Sequence, residues 1–132
     1  MPAVERHGSG GPWEARIGYS RVVRAGAHVW VAGCTAATDD GAVLGGADIA
    51  AQTAAALDAI ERALAQVGAS LADVVRTRIF VTDIERWEEA GRAHGARFAD
   101  VRPVSTMVEV ARLIDPRLLV EIEADAYVAG EA

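Results

Sequence analysis

The chain of 132 residues contains no lysine; all thirteen of its basic residues are arginines. Without an ε-amino group the protein cannot form a Schiff base, which excludes pyridoxal phosphate and lysine-dependent aldolase chemistry. A phosphate loop of the Gly-Lys-Ser/Thr type is excluded by the same absence. Cysteine is almost missing as well. Cys34 stands alone and cannot close an internal disulfide, which suits a reducing cytosol. No apolar run approaches the ~18 residues that a membrane helix needs. Met1 to Pro12 lacks the cationic and then apolar pattern of a secretion signal. A cytoplasmic protein with no membrane partner is therefore expected. The formal net charge of −6 argues against nucleic acid as a partner, because phosphate backbones are held by concentrated positive charge.

What is present is apolar and patterned. Hydrophobic residues make up 52% of the chain, enough to build one core and too many for a disordered protein. Residues 1–17 are rich in Gly and Pro (Gly8-Ser9-Gly10-Gly11-Pro12) and read as an irregular lead-in. The folded domain is expected over residues 18–130. Ser20–Arg24 and His28–Cys34 are β-prone runs around Gly26-Ala27, a hairpin pattern. Asp48 is placed to cap a helix with apolar positions at Ile49, Leu57, Ile60, Leu64 and Val67, and Gly68 ends it. Val74–Thr82 reads as a strand, and Asp83 as the cap of a second helix to about Ala99. Ser105–Leu113 and Leu118–Val128 read as two strands joined across Asp115-Pro116. The expected order is β-β-α-β-α-β-β, an α/β domain with two helices on one face of a mixed sheet.

Splitting each strand by alternation separates two faces. Val29 and Val31; Val75, Thr77, Ile79 and Val81; Thr106, Val108 and Val110; and Val120, Ile122, Ala124 and Ala126 form a small, aliphatic set suited to two helices. Trp30, Cys34, Arg76, Arg78, Phe80, Ser105, Met107, Glu109, Glu121, Glu123 and Asp125 fall on the other face. Two helices cannot cover both sides of the sheet. The mixed face is thus expected either to meet another copy of the chain or to stand in solvent, laced with cross-strand ion pairs.

Three segments resemble the RidA (YjgF) family: Gly18-Tyr19-Ser20, Ala69-Ser70-Leu71-Ala72-Asp73-Val74-Val75-Arg76-Thr77, and Pro103–Leu113 followed by Val120-Glu121-Ile122-Glu123-Ala124. Gln52-Thr53 inside the first helix adds to the likeness, which spans residues 18 to 128. The resemblance implies a chorismate-mutase-like fold, a homotrimer and small-molecule clefts between subunits. It also implies a metabolite of the enamine or imine class, hydrolysed to ammonia and a carbonyl compound; some relatives carry an endoribonuclease label instead.

Residue by residue, the resemblance makes Glu121 the water-orienting acid and Tyr19 the cleft-closing tyrosine. Ala32-Gly33-Cys34 stands where relatives have Ser-Gly-Gln, and Met107 where they have a cysteine. One departure changes the chemistry. Deaminating relatives carry, two residues after the proline, an arginine that grips the substrate carboxylate through two charge-assisted hydrogen bonds. Here that position is Ser105, whose single neutral hydroxyl cannot do the same.

Each candidate has a plainer reading beside the functional one. Glu121 is either an acid/base group or an ion-pair partner of Arg76 or Arg78. Arg78, read as sharing a face with Ser105, could supply the missing cation or pair with Glu109 or Glu123. His94 matches a helix position where relatives place an aromatic residue near the cleft, or is a surface histidine. Cys34 lines the cleft or fills space. His7, His28, His94 and Cys34 lack ligand spacing, so neither a metal nor a cofactor is expected. A non-catalytic ligand-binding or regulatory module remains the alternative to an enzyme.

Overall fold

The computed structural model describes residues 3–130. Its first departure from expectation is at the N-terminus. The stretch 1–17 does not remain irregular where it is described, since β1 (Glu5–His7) pairs antiparallel with β2 (Val22–Ala25) and α1 (Pro12–Ile17) follows. Pro12 opens that helix, and Gly18 closes it at φ 89, a left-handed position suited to glycine. The reason lies outside the segment. Glu14 is buried and accepts hydrogen bonds from the Ser9 amide (2.9 Å) and hydroxyl (2.7 Å), while Arg21 approaches it at 3.3 Å. Contacts across turns hold what local propensity would leave loose.

The remaining elements are β3 (His28–Cys34), α2 (Ile49–Gln66), β4 (Val74–Val81), α3 (Trp87–Phe98), β5 (Val104–Glu109) and β6 (Val120–Tyr127). Asp48 caps α2 by accepting from the amides of Ala50 (2.9 Å) and Ala51 (3.2 Å). Asp83 caps a single 3-10 turn, Ile84–Arg86, that leads into α3. The six strands form one mixed sheet in the order β1-β2-β3-β6-β4-β5. Only β4 and β5 run parallel, linked through α3 as a parallel pair requires. The turn at Asp115-Pro116 therefore closes no hairpin. It carries the chain past β4 so that β6 enters between β3 and β4.

Helix α2 buries Leu57, Ile60 and Leu64 against Val29, Val120 and Ile122, and α3 adds Ala90 and Phe98 to the same core. Two helices thus cover one face, and β6 alternates as expected, with Val120, Ile122, Ala124 and Ala126 all inward.

Three face assignments need correction. A register shift between Val74 and Arg76 buries Val74 and leaves Val75 50% exposed. A bulge between Val31 and Cys34 turns Cys34 inward, opposite Ile122, instead of onto the open face. In β5, the parallel pairing sets Ser105 beside Thr77 and Met107 beside Ile79, so both lie on the helix side. Val104, Thr106 and Val108 take the open side with Arg78. At this edge strand the apolar residues do not mark the core, because α3 covers it only in part; Val104 and Val108 are exposed.

Gln52 ties the layers together. Fully buried in α2, it donates to the carbonyls of Gly46 (2.7 Å) and Arg117 (3.0 Å) and accepts from the Leu119 amide (2.9 Å). Its loss would strand three backbone groups beside the start of β6. Gln52→Ala is expected to cost about 3 kcal/mol in urea unfolding with an unchanged m-value. A cost below about 0.5 kcal/mol, within the range of ordinary surface substitutions, would show that these bonds are replaceable by water.

Candidate functional site

Glu121 is the second residue of β6, on the face that no helix covers. Its carboxyl lies across Gly33 of β3, where an added side chain would displace it: a Cβ there would come within 2.8 Å of the carboxyl carbon. Gly33 is therefore a site residue by virtue of what it lacks. Around the pair is a cavity of about 270 Å³ walled by Phe80, Val110, Arg112, Leu113 and Glu123. Burial raises the Glu121 carboxyl above its ordinary range; Glu123 adds to the rise and Arg21 opposes it. A half-buried carboxyl displaced in this direction can both take and return a proton.

Arg21 organises the ground beneath. Its guanidinium donates to the carbonyls of Ala32 (3.3 Å) and Gly33, reaches the Cys34 sulfur at 3.6 Å and the Tyr19 hydroxyl at 3.3 Å, and approaches Glu14. Burial would raise the Glu14 carboxyl, yet hydrogen bonds from Ser9 and Arg21 outweigh it and the net shift is downward. Burial pushes the Cys34 thiol up despite Arg21, so it is no ready nucleophile. A larger cavity of about 550 Å³ lies beyond Cys34, between the N-terminal segment and α2. Arg21 is already committed there, and the other charged side chains on its wall, Asp39 and Arg62, stand exposed.

A second cluster lies on the opposite face, at the β5 edge. The buried Thr77 hydroxyl is 2.8 Å from the Ser105 hydroxyl and 2.9 Å from Nε2 of His94, whose ring packs against Phe98, tilted, with centroids 4.6 Å apart. Burial lowers the His94 imidazole below its ordinary value, favouring the neutral ring.

The candidates named from sequence thus divide in two. Glu121, Tyr19 and Cys34 gather around Gly33 and Arg21, with Cys34 on the core side. Ser105 and His94 gather around Thr77, and Met107 packs into the core beside them. Arg78 belongs to neither group, since it pairs with Glu123 (3.3 Å) and Asp125 (3.4 Å) and faces away from Ser105. Sequence reasoning did not single out Arg21, Glu14 or Thr77. Thr77 alone left a trace, as the one polar residue in an otherwise aliphatic strand face. Among the described residues no cluster of His, Cys, Asp or Glu could hold a metal ion, and no helix is long and apolar enough to cross a membrane.

The chain is a mixed α/β domain with a six-stranded sheet and three helices. Residues 12–128 match the family described as Endoribonuclease L-PSP, and the chain belongs to that family, which includes the RidA (YjgF) proteins. It is 41% identical over 125 residues to an uncharacterized protein of Streptomyces coelicolor, covering 95% of this chain and 92% of that one. A RutC family protein of Pyrococcus abyssi is 31% identical over 110 residues, covering 83% and 85%. Among solved structures, Rv2704 of Mycobacterium tuberculosis, a member of the YjgF/YER057c/UK114 family, superposes with a TM-score of 0.87 at 56% identity, covering 96% of this chain and all of that one.

The raised carboxyl of Glu121 has a signed consequence. The folded protein holds that proton more tightly than the unfolded chain. Stability therefore falls as pH rises from the ordinary value of 4.5 through the folded-state value. Glu121→Gln removes the cost, so its Tm should exceed that of the wild type at pH 7 and match it below pH 4.5. A lower Tm at pH 7 would mean that the carboxylate is held by partners that the amide cannot replace.

Proposed function

We propose that the protein is a Rid-like homotrimer that binds a small imine or carbonyl metabolite between subunits and hydrolyses the imine with Glu121. The observation that carries this reading is the half-buried carboxyl lying over Gly33 at the edge of an open cavity. Glu121 and Ser105 stand on opposite faces with β4 between their strands, so one chain cannot bring them to one ligand. A second copy can, if its β5 edge lies against the Gly33–Glu121 surface. The exposed Trp30, Tyr127, Val104 and Val108 favour such an assembly, since apolar groups of this size are commonly covered by a partner.

In the proposed reaction the imine nitrogen takes a proton from solvent, and Glu121, ionised, takes a proton from the water that adds to the C=N carbon. The resulting carbinolamine collapses to a carbonyl, and the nitrogen leaves as ammonia with the proton returned from Glu121. Ser105 in place of the family's arginine favours a substrate without a carboxylate, because one hydroxyl cannot repay the desolvation of an anion. The formal net charge of −6 speaks against RNA as substrate, whatever the family's label.

The test pairs two imines generated in place: one from benzylamine by an amine oxidase, and one bearing a carboxylate from an amino-acid oxidase. The uncharged imine should lose ammonia faster than in buffer and faster than the carboxylate-bearing one. Glu121→Gln should lower that rate by about 10²-fold or more. Ammonia release no faster than buffer from both would refute hydrolysis, and ligand-dependent thermal stabilisation without turnover would assign a binding role instead. Native mass spectrometry should give three subunits.

A further inference from the structure

The hydroxyl of Thr77 has one proton and two polar neighbours, so it can donate to only one of them at a time. If neutral His94 turns the lone pair of Nε2 toward Thr77, Thr77 donates to it and is free to accept from Ser105. If Nε2–H donates to Thr77, Thr77 donates to Ser105. The three groups are therefore coupled, and the state of the imidazole decides what the Ser105 hydroxyl offers outward. Ser105 is exposed, Thr77 fully buried and His94 half-buried, which is the order that a path from a cleft to an internal base would have. Phe98 packs on the imidazole and keeps it aimed at Thr77.

We propose that Ser105, Thr77 and His94 form a proton relay, with Ser105 meeting the hydrated substrate and His94 storing the proton. This rests on the hydrolytic reading above and adds the group that reading lacks. Collapse of a carbinolamine needs a proton removed from its hydroxyl while another is delivered to its nitrogen. Glu121 delivers one. At the other end, Ser105 Oγ takes the hydroxyl proton and passes its own to Thr77, and the Thr77 proton moves to Nε2. The C–N bond breaks, the C=O bond forms, ammonia departs, and His94 is left as imidazolium beside an ionised Glu121. His94 then gives its proton to solvent, which balances the one taken up by the imine nitrogen, and the cycle closes with Glu121 ionised and His94 neutral. Ser105 is the catalytic residue of the three; Thr77 and His94 act through it and are positioning residues.

The test uses the full-length protein and the benzylamine-derived imine. His94→Gln keeps a side chain that can hold the Thr77 hydroxyl but cannot store a proton. It should lower kcat by at least about tenfold with KM within about twofold. Thr77→Val should do the same, while Thr77→Ser, which restores the hydroxyl, should recover most of the rate. Added imidazole should restore turnover to His94→Ala; should that variant fail to fold, His94→Gln and the Thr77 pair carry the decision. An active wild type with an unchanged kcat in His94→Gln overturns the relay and leaves the hydrolytic reading standing. A wild type that does not turn over the imine at all overturns both.

Discussion

Alternation along β6 is the constraint on which the rest of the molecule depends. This strand is hydrogen-bonded along both edges, to β3 and to β4, and every second residue from Val120 to Ala126 is buried beneath α2. A slip of one residue would exchange that aliphatic row for Glu121, Glu123 and Asp125, placing three carboxylates in the core. The register is therefore held by the hydrophobic effect on one face. The position of Glu121 on the other face is a consequence of it. Gln52 reinforces the same register from the helix layer, because it bonds the backbone where β6 begins.

Around that strand, charge is used in two ways. On the exposed face Arg76 and Arg78 pair with Glu123 and Asp125 across strands, contacts that are solvated and worth little individually. Beneath Gly33, Arg21 is half-enclosed and spends its donors on backbone carbonyls, a thiol, a phenol and a buried carboxylate. The first arrangement neutralises a surface; the second fixes the shape of the ground on which Glu121 rests. Among the described residues no arginine is bonded to Glu121, so burial prevails and raises its carboxyl above the ordinary range.

Much of the fold was legible in the residues. Asp48 and Asp83 announced helix starts because a short acceptor before an apolar run satisfies amides that a helix leaves unpaired. The period of two in Val120–Tyr127 identified both the strand and its faces. The β5 edge was not legible in this way. Thr106 and Val108 look like part of a core face, and only the pairing with β4 reveals that Ser105 and Met107 are the inward set. Cys34 misled for a related reason: a bulge reverses parity, and a lone glycine inside the strand run, Gly33, is its only local sign. Arg21 and Glu14 stayed silent because their meaning lies in contacts between segments, not in local spacing.

The sequence by itself determined the class of the domain, the strand that carries Glu121 and the presence of that residue on the face away from the aliphatic row. These follow from short-range periodicity and capping, which each segment carries within itself. It also determined what chemistry is unavailable, since a chain with no lysine cannot acquire one by folding. The tertiary structure decided which polar residues share a neighbourhood. Ser105 joined Thr77 and His94 instead of Arg78 because a parallel pairing, not an alternation, sets its face. Strand register and bulges arise from the balance of distant contacts, and proximity between residues 17 or 28 positions apart has no local code.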